Sequence, residues 1–342
     1  MKISTNIAVG LLLAIFPLIS AGADELGDRR RFFLETQHAL EYEDFARLEK
    51  MHMKSLDTKE RFPSGVWKMV SFRDGLERIF SGENTNQYWN DQERRAVTWR
   101  TQFPKSAIAQ VFLARVYLQR SYALRGDRSS NAVPANEWLK INQYTEKAYK
   151  TLMEGGPAAR STPIWYLTML EVLNHKDVNS RELPQIINEA LEKFPSFQAL
   201  YFDIAELRLP RNGGSYEAVE KFAQEAVVRN KSGEGWAIYA RIYWYLTQVE
   251  FGNSLFSKSR VNWASMRDGF DAMLKQYPDI WNLNAYGYFS CLAKDRTNLI
   301  KLLRQIGTQV NFQLWGGDRG QYVYKLCSEY AKGHDAAIKE IP

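Results

Sequence analysis

The chain predicts an all-α protein built from helix hairpins, and three observations carry that expectation. Apolar residues return every three to four positions, as in Phe32, Phe33, Leu40, Phe45, Leu48 and Met51, which is the period of an amphipathic helix. An aromatic-proline phrase recurs: Phe103-Pro104, Phe194-Pro195 and Tyr277-Pro278 each close one helical stretch and open another. Eight or nine residues after each proline stands a large apolar residue beside a small one, at Leu113-Ala114, Ile204-Ala205 and Tyr286-Gly287. There is no alternating strand pattern, no Asn-Gly hairpin turn and no βαβ rhythm.

The elements follow in order. Lys2, an apolar run ending at Ile19 and Ala21-Gly22-Ala23 read as a secretory signal over residues 1–23. The run is shorter than the ~20 residues of a membrane span, with an uncleaved anchor as the alternative. No Cys follows it, so a lipoprotein anchor is not expected. Residues 24–342 then form one helical-repeat domain, periplasmic or secreted, with no later segment apolar enough to span a bilayer. Helical stretches run over 29–55 and 66–80, the second stopped by Ser81-Gly82. Residues 88–103 and 105–125 make the first clear hairpin, ended by Gly126 and a polar loop to Ala132. A helix follows Pro134, Gly155-Gly156-Pro157 breaks the chain, and Thr162-Pro163 starts the next helix. Further hairpins are expected at 181–194 with 196–209, 216–229 with 233–248, and 260–276 with 280–294, before a shorter closing pair.

The pattern inside these hairpins is tetratricopeptide-like. Trp236, Tyr239-Ala240 and Tyr243 reproduce the large, large-small, aromatic spacing of a first repeat helix, where the small residue lets two helices approach. Ala190 precedes Pro195 by five positions and Phe270 precedes Pro278 by eight, as the second helix requires. Other positions miss, so the repeats are degenerate. The expected architecture is a stack of such hairpins in a right-handed α-solenoid, which offers an extended concave face.

The C-terminal half also resembles the bacterial family called domain of unknown function 4034. The resemblance rests on Tyr201-Phe202, Leu209-Pro210-Arg211 with Gly213-Gly214, Tyr239 to Trp244, Asn262-Trp263, Met266-Arg267 with Gly269-Phe270, Tyr277-Pro278, Trp281-Asn282 with Asn284, and Cys291-Leu292-Ala293 with Asp295. It covers roughly residues 100–330 and is firmest over 195–295. It implies a tetratricopeptide-like helical protein and brings no catalytic residues.

Composition bounds the function. With 45% hydrophobic and 25% charged residues the chain is globular. The formal charge of +6 is concentrated: eight basic residues lie between Arg94 and Arg128, against Asp127 alone. Arg94, Arg95, Arg115 and Arg120 are the candidate electrostatic patch, suited to an acidic partner or an anionic envelope component, or else solvated and paired across the hairpin. Nucleic acid is a poor fit for an exported chain of modest charge. Cys291 and Cys327 are either a disulfide, which export permits, or buried thiols.

No Walker loop, Gly-x-Ser-x-Gly, His-Glu-x-x-His or Cys-x-x-Cys occurs, so no catalytic residue is assigned by motif. His38, His52, His175 and His334 lack metal-ligand spacing, so no metal or cofactor is expected. Asp203 with Glu206, and Glu41 with Glu43, are local carboxylate pairs; the first is the candidate acid and base of an enzyme acting on envelope glycans. The leading expectation is a protein or peptide partner held by Trp236, Tyr239, Arg241, Trp281, Asn282 and Asn284, because Trp, Tyr and Arg anchor interfaces. A structural component of an envelope assembly is the third reading.

Overall fold

The structure is a computed structural model and describes residues 25–126, 128, 132–176 and 181–341. The expected signal at 1–23 lies outside the described residues, as does most of the 127–132 loop. All regular structure among the described residues is helical; one isolated bridge, Arg61 to Trp67, closes a loop. No described helix is long and apolar enough to cross a membrane.

Three helices come first: α1 (Glu25–Glu41), α2 (Phe45–Thr58) and α3 (Lys68–Glu77), packed on one another. Then follow α4 (Asn86–Gln102), α5 (Ala107–Arg125), α6 (Ala135–Glu154), the single turn α7 (Gly156–Ala159), α8 (Pro163–Lys176) and α9 (Leu183–Lys193). The second half holds α10 (Gln198–Glu206), α11 (Tyr216–Arg229), α12 (Ala237–Leu246), the single turn α13 (Leu255–Lys258), α14 (Trp263–Gln276), α15 (Ile280–Leu292), α16 (Arg296–Ile306) and α17 (Gly320–Ala331). Helices α5, α8, α10 and α12 form one row, each touching the next.

The aromatic-proline phrase acts as one repeated turn. Phe103, Phe194 and Tyr277 end α4, α9 and α14 at φ −126°, −127° and −133°, with ψ 70°, 56° and 76°. The proline that follows disfavours helical geometry at the preceding residue and so stops each helix at the same point. Each aromatic N–H still donates to the last turn, to Trp99 O, Ala190 O and Met273 O. Across two of these turns the expected pairing is the weaker one: α5 and α15 pack more extensively on the following helices, α6 and α16, than on the preceding α4 and α14.

Small residues mark close helix approaches. At Gly269 on α14 an added Cβ would lie 2.6 Å from Trp236 O and 2.8 Å from the Ala240 Cβ, so α12 and α14 meet only because the side chain is absent. Aromatics fill the space between helices, with Trp67, Trp99, Trp165 and Trp315 fully buried. Phe45 of α2 stacks on Trp99 of α4 at 5.4 Å, and Trp99 meets Phe112 of α5 at 5.5 Å. Cys291 of α15 and Cys327 of α17 form a disulfide, which resolves the two alternatives left by their spacing.

The loop between α2 and α3 reaches the far half of the chain. Arg61 donates to Ser196 O at 3.1 Å and pairs with Glu234 at 3.2 Å. Trp67 meets Phe197 edge-on at 5.3 Å. Gly65 occupies left-handed backbone at φ +90°, and a Cβ there would sit 2.5 Å from the Tyr277 ring. The N-terminal helices are thereby locked onto α10, α12 and α15.

Candidate functional site

Two adjacent cavities, of about 340 Å³ and about 300 Å³, lie where α3, α8, α10 and α12 converge and together are called the groove. They share Arg73 from α3, Asp203 from α10 and Tyr245 from α12. The helical period puts Phe202, Asp203 and Glu206 on the groove side of α10. Phe202 stacks on Tyr245 at 5.1 Å with an interplanar angle of 11°. Trp244 and Trp281 complete the apolar wall of the second cavity.

The first cavity is rich in carboxylates. Glu77, Glu171, Asp203 and Glu206 all line it. Arg115, buried behind it on α5, binds Glu171 and reaches Glu77 at 3.1 Å. Arg73 approaches Asp74 at 3.4 Å and Glu77 at 3.9 Å. Glu206 accepts from Arg211 at 2.6 Å and from the Tyr245 hydroxyl. Asp203 differs: no hydrogen bond or ion pair within 4 Å reaches its carboxyl group among the described residues. Burial pushes its pKa up to about 7, Glu171, Glu206 and Glu77 push the same way, and Arg73 only partly offsets them. Burial alone would lower the Arg73 pKa, yet Glu77, Asp74, Asp203 and Glu171 outweigh it and hold that guanidinium charged. The Tyr245 hydroxyl is raised by burial and by its bond to Glu206. This arrangement can hold a proton at Asp203 near neutrality, or hold a cation in its place.

The interface residues expected from sequence have separate fates. Arg241 is 3% exposed; its Nε donates to Glu234 at 2.7 Å and its terminal nitrogen to Ser64 O at 2.7 Å. Asn282 donates to the same carbonyl at 3.1 Å and to Tyr277 O at 3.0 Å. Trp281 is half-buried, with the Arg29 guanidinium 5.0 Å from its ring centroid. Arg241 and Asn282 therefore meet at the α2–α3 loop, and both Arg241 and Trp281 line the groove. Tyr239 is buried elsewhere, donating to Glu220 at 2.9 Å and accepting from the Asn262 N–H at 2.9 Å. Asn284 faces the C-terminal loop, donating to Gln309 O and accepting from the Trp315 indole, both at 3.0 Å. Trp236, 38% exposed, stands at the start of α12 against Tyr239.

The basic cluster is neutralised by acids from other elements. Arg94 and Arg95 face Glu43 at 2.9 and 3.6 Å, and Arg120 faces Glu93 at 3.6 Å and Asn90 at 3.1 Å. Arg115 and Arg120 are buried, 5% and 7% exposed, so these four do not share one surface. Glu43 is occupied there, and Glu41 accepts from Gln37; that pair lies outside the groove. A wider depression of about 610 Å³ lies on α1 and α2; of its three arginines, Arg31 and Arg47 pair with Asp28 and Glu35. No group of three His, Cys, Asp or Glu among the described residues is placed to hold a metal. Sequence reasoning missed Arg73, Glu171, Gln198 and Tyr245; only Tyr245 carried a local signal, beside Trp244.

Comparison with known protein families, with characterised proteins and with solved structures finds no match.

Proposed function

We propose that the chain is an exported, tetratricopeptide-like helical-repeat protein, its hairpins stacked in a right-handed solenoid, that binds a protein or peptide partner in the α3–α8–α10–α12 groove. The observation that carries this reading is the groove itself: adjacent cavities with an aromatic wall and a charged wall, beside a place where Arg241, Asn282 and Gln198 grip the backbone of residues 64–65. The three matching aromatic-proline turns support the repeat architecture, and the Cys291–Cys327 disulfide supports an oxidising compartment. The family resemblance adds nothing beyond architecture. The test is saturable binding of labelled peptides to the wild type, lost when Ala199→Arg fills the groove in a variant with an unchanged helical spectrum. Equal binding by both proteins refutes the site.

The second reading is an enzyme acting on envelope glycans, favoured by Asp203. A carboxyl group still protonated near pH 7 suits a general acid, and Glu171 or Glu206 in the same cavity would supply the second carboxylate. Release of reducing ends from purified envelope glycan, abolished by Asp203→Asn, would establish it; no release at any pH from 5 to 8 would remove it.

A further inference from the structure

We propose that the groove's occupant is an extended peptide segment that directs an arginine or lysine side chain toward Asp203. This deepens the binding reading above and rests on it. Charge supplies the first argument. Three arginines serve the carboxylates around the groove: Arg73 faces Asp74 and Glu77, Arg115 faces Glu77 and Glu171, and Arg211 faces Glu206 and Glu250. Each is already shared between two acids, and none reaches Asp203 within ion-pair distance. Arg73 lines both cavities beside Asp203, but it is engaged by Asp74 and Glu77, so the Asp203 carboxyl group has no ion-pair partner of its own among the described residues.

The aromatic wall supplies the second argument. Arg29 already lays its guanidinium over Trp281 at one end of the same groove, 5.0 Å from the ring centroid. Phe202, Tyr245 and Trp244 line the groove with Asp203, and Phe202 and Tyr245, stacked on each other, each keep one ring face for a guanidinium. A guanidinium seated there would gain the ring attraction together with a desolvated carboxylate.

Backbone recognition supplies the third. Gln198 is 1% exposed and lines the groove. Its amide nitrogen donates to Gly65 O at 2.9 Å and to Glu234, while its carbonyl oxygen is buried without a partner. A buried acceptor left unmade costs free energy; this oxygen has no accessible surface, so a peptide N–H completes it only if the Gln198 amide turns toward the groove.

The test is calorimetric titration of the purified protein with acetyl-Ala-Ala-Arg-Ala-Ala-amide, the same peptide with citrulline or glutamate at its centre, and argininamide alone. Citrulline keeps the shape of arginine and removes its charge. The expected result is binding of the arginine peptide at least about 10-fold tighter than the citrulline or glutamate peptide or argininamide. Asp203→Asn should abolish the arginine preference and Asp203→Glu should retain it. No internal bond of Asp203 is lost in either variant, and circular dichroism checks that both fold. Equal binding of the arginine and citrulline peptides, or preference for glutamate, overturns this inference and leaves the binding reading standing. Argininamide binding as tightly as the peptide overturns the peptide part. Failure of every peptide to bind overturns both.

Discussion

Arg241→Met should destabilise the protein strongly, although Arg241 lies about 177 positions from the residue it holds. The side chains of Arg241 and Glu234 are 3% and 4% exposed, joined at 2.7 Å. Removing one member of a buried pair leaves an uncompensated charge and costs about 3–5 kcal/mol. Glu234 keeps Arg61 at 3.2 Å and its bond from Gln198, which places the expected loss near the lower limit, about 3 kcal/mol. Loss of the bond to Ser64 O removes one of the ties that dock the α2–α3 loop, so that loop should become the first site of proteolysis. Urea denaturation at pH 7 measures the loss. The Arg241→Met/Glu234→Gln double variant should lose less than the two single variants together, because the pair acts as a unit. A single variant within about 0.5 kcal/mol of wild type, or a double variant showing simple additivity, refutes the reasoning.

Other perturbations separate the remaining interactions. Cys291→Ala/Cys327→Ala opens a loop spanning 36 positions and should lower stability by about 3–4 kcal/mol, measured against wild type under oxidising and reducing conditions. His52, buried and bonded to Thr162 Oγ1 at 2.9 Å, has its pKa lowered by burial to about 4. The unfolded chain then binds the extra proton, so stability falls as pH drops from 6.5 to 4, by up to about 3 kcal/mol, and His52→Asn should flatten that slope in urea titrations. Asp203 works in the opposite sense: its folded pKa near 7 exceeds the ordinary carboxyl value, so its contribution falls as pH rises from 4 through 7. Asp203→Asn should therefore raise the urea midpoint at pH 8 and leave it nearly unchanged at pH 4.

Helices and turns were legible because their causes are local. The apolar period is written within one helix, and a proline acts on the residue before it, so Phe103, Phe194 and Tyr277 could be placed without tertiary knowledge. Asp203 and Glu206 were legible as a pair because three positions span one face of α10. Their surroundings were not: Arg73 and Glu171 reach the groove from helices distant in sequence, and no local pattern announces them. Arg241 and Asn282 were singled out as polar groups able to grip a backbone, and the backbone they meet in the structure is the chain's own loop at Ser64. The basic cluster between Arg94 and Arg128 looked unopposed because Glu43, Glu77, Glu137 and Glu171, which answer it, all lie outside that interval.

The two ends of the groove should answer mutation with opposite signs, and that contrast separates architecture from function. At the Ser64 end Arg241 is paired, its donors have acceptors, and deleting it removes native interactions. At the Asp203 end a carboxyl group faces a cavity with no bond of its own, where burial and the neighbouring carboxylates raise the cost of ionising it and Arg73 only partly offsets them. Asparagine would keep the shape without the charge and remove only part of the field that holds Arg73 charged, which Glu77, Asp74 and Glu171 also supply. Residues held at a cost to stability are characteristic of sites that act on something outside the chain. A loss of stability in Arg241→Met beside a gain in Asp203→Asn at pH 8 would place the boundary between scaffold and site within this single groove. Losses in both would make Asp203 part of the scaffold and remove the reason to look for a cation there.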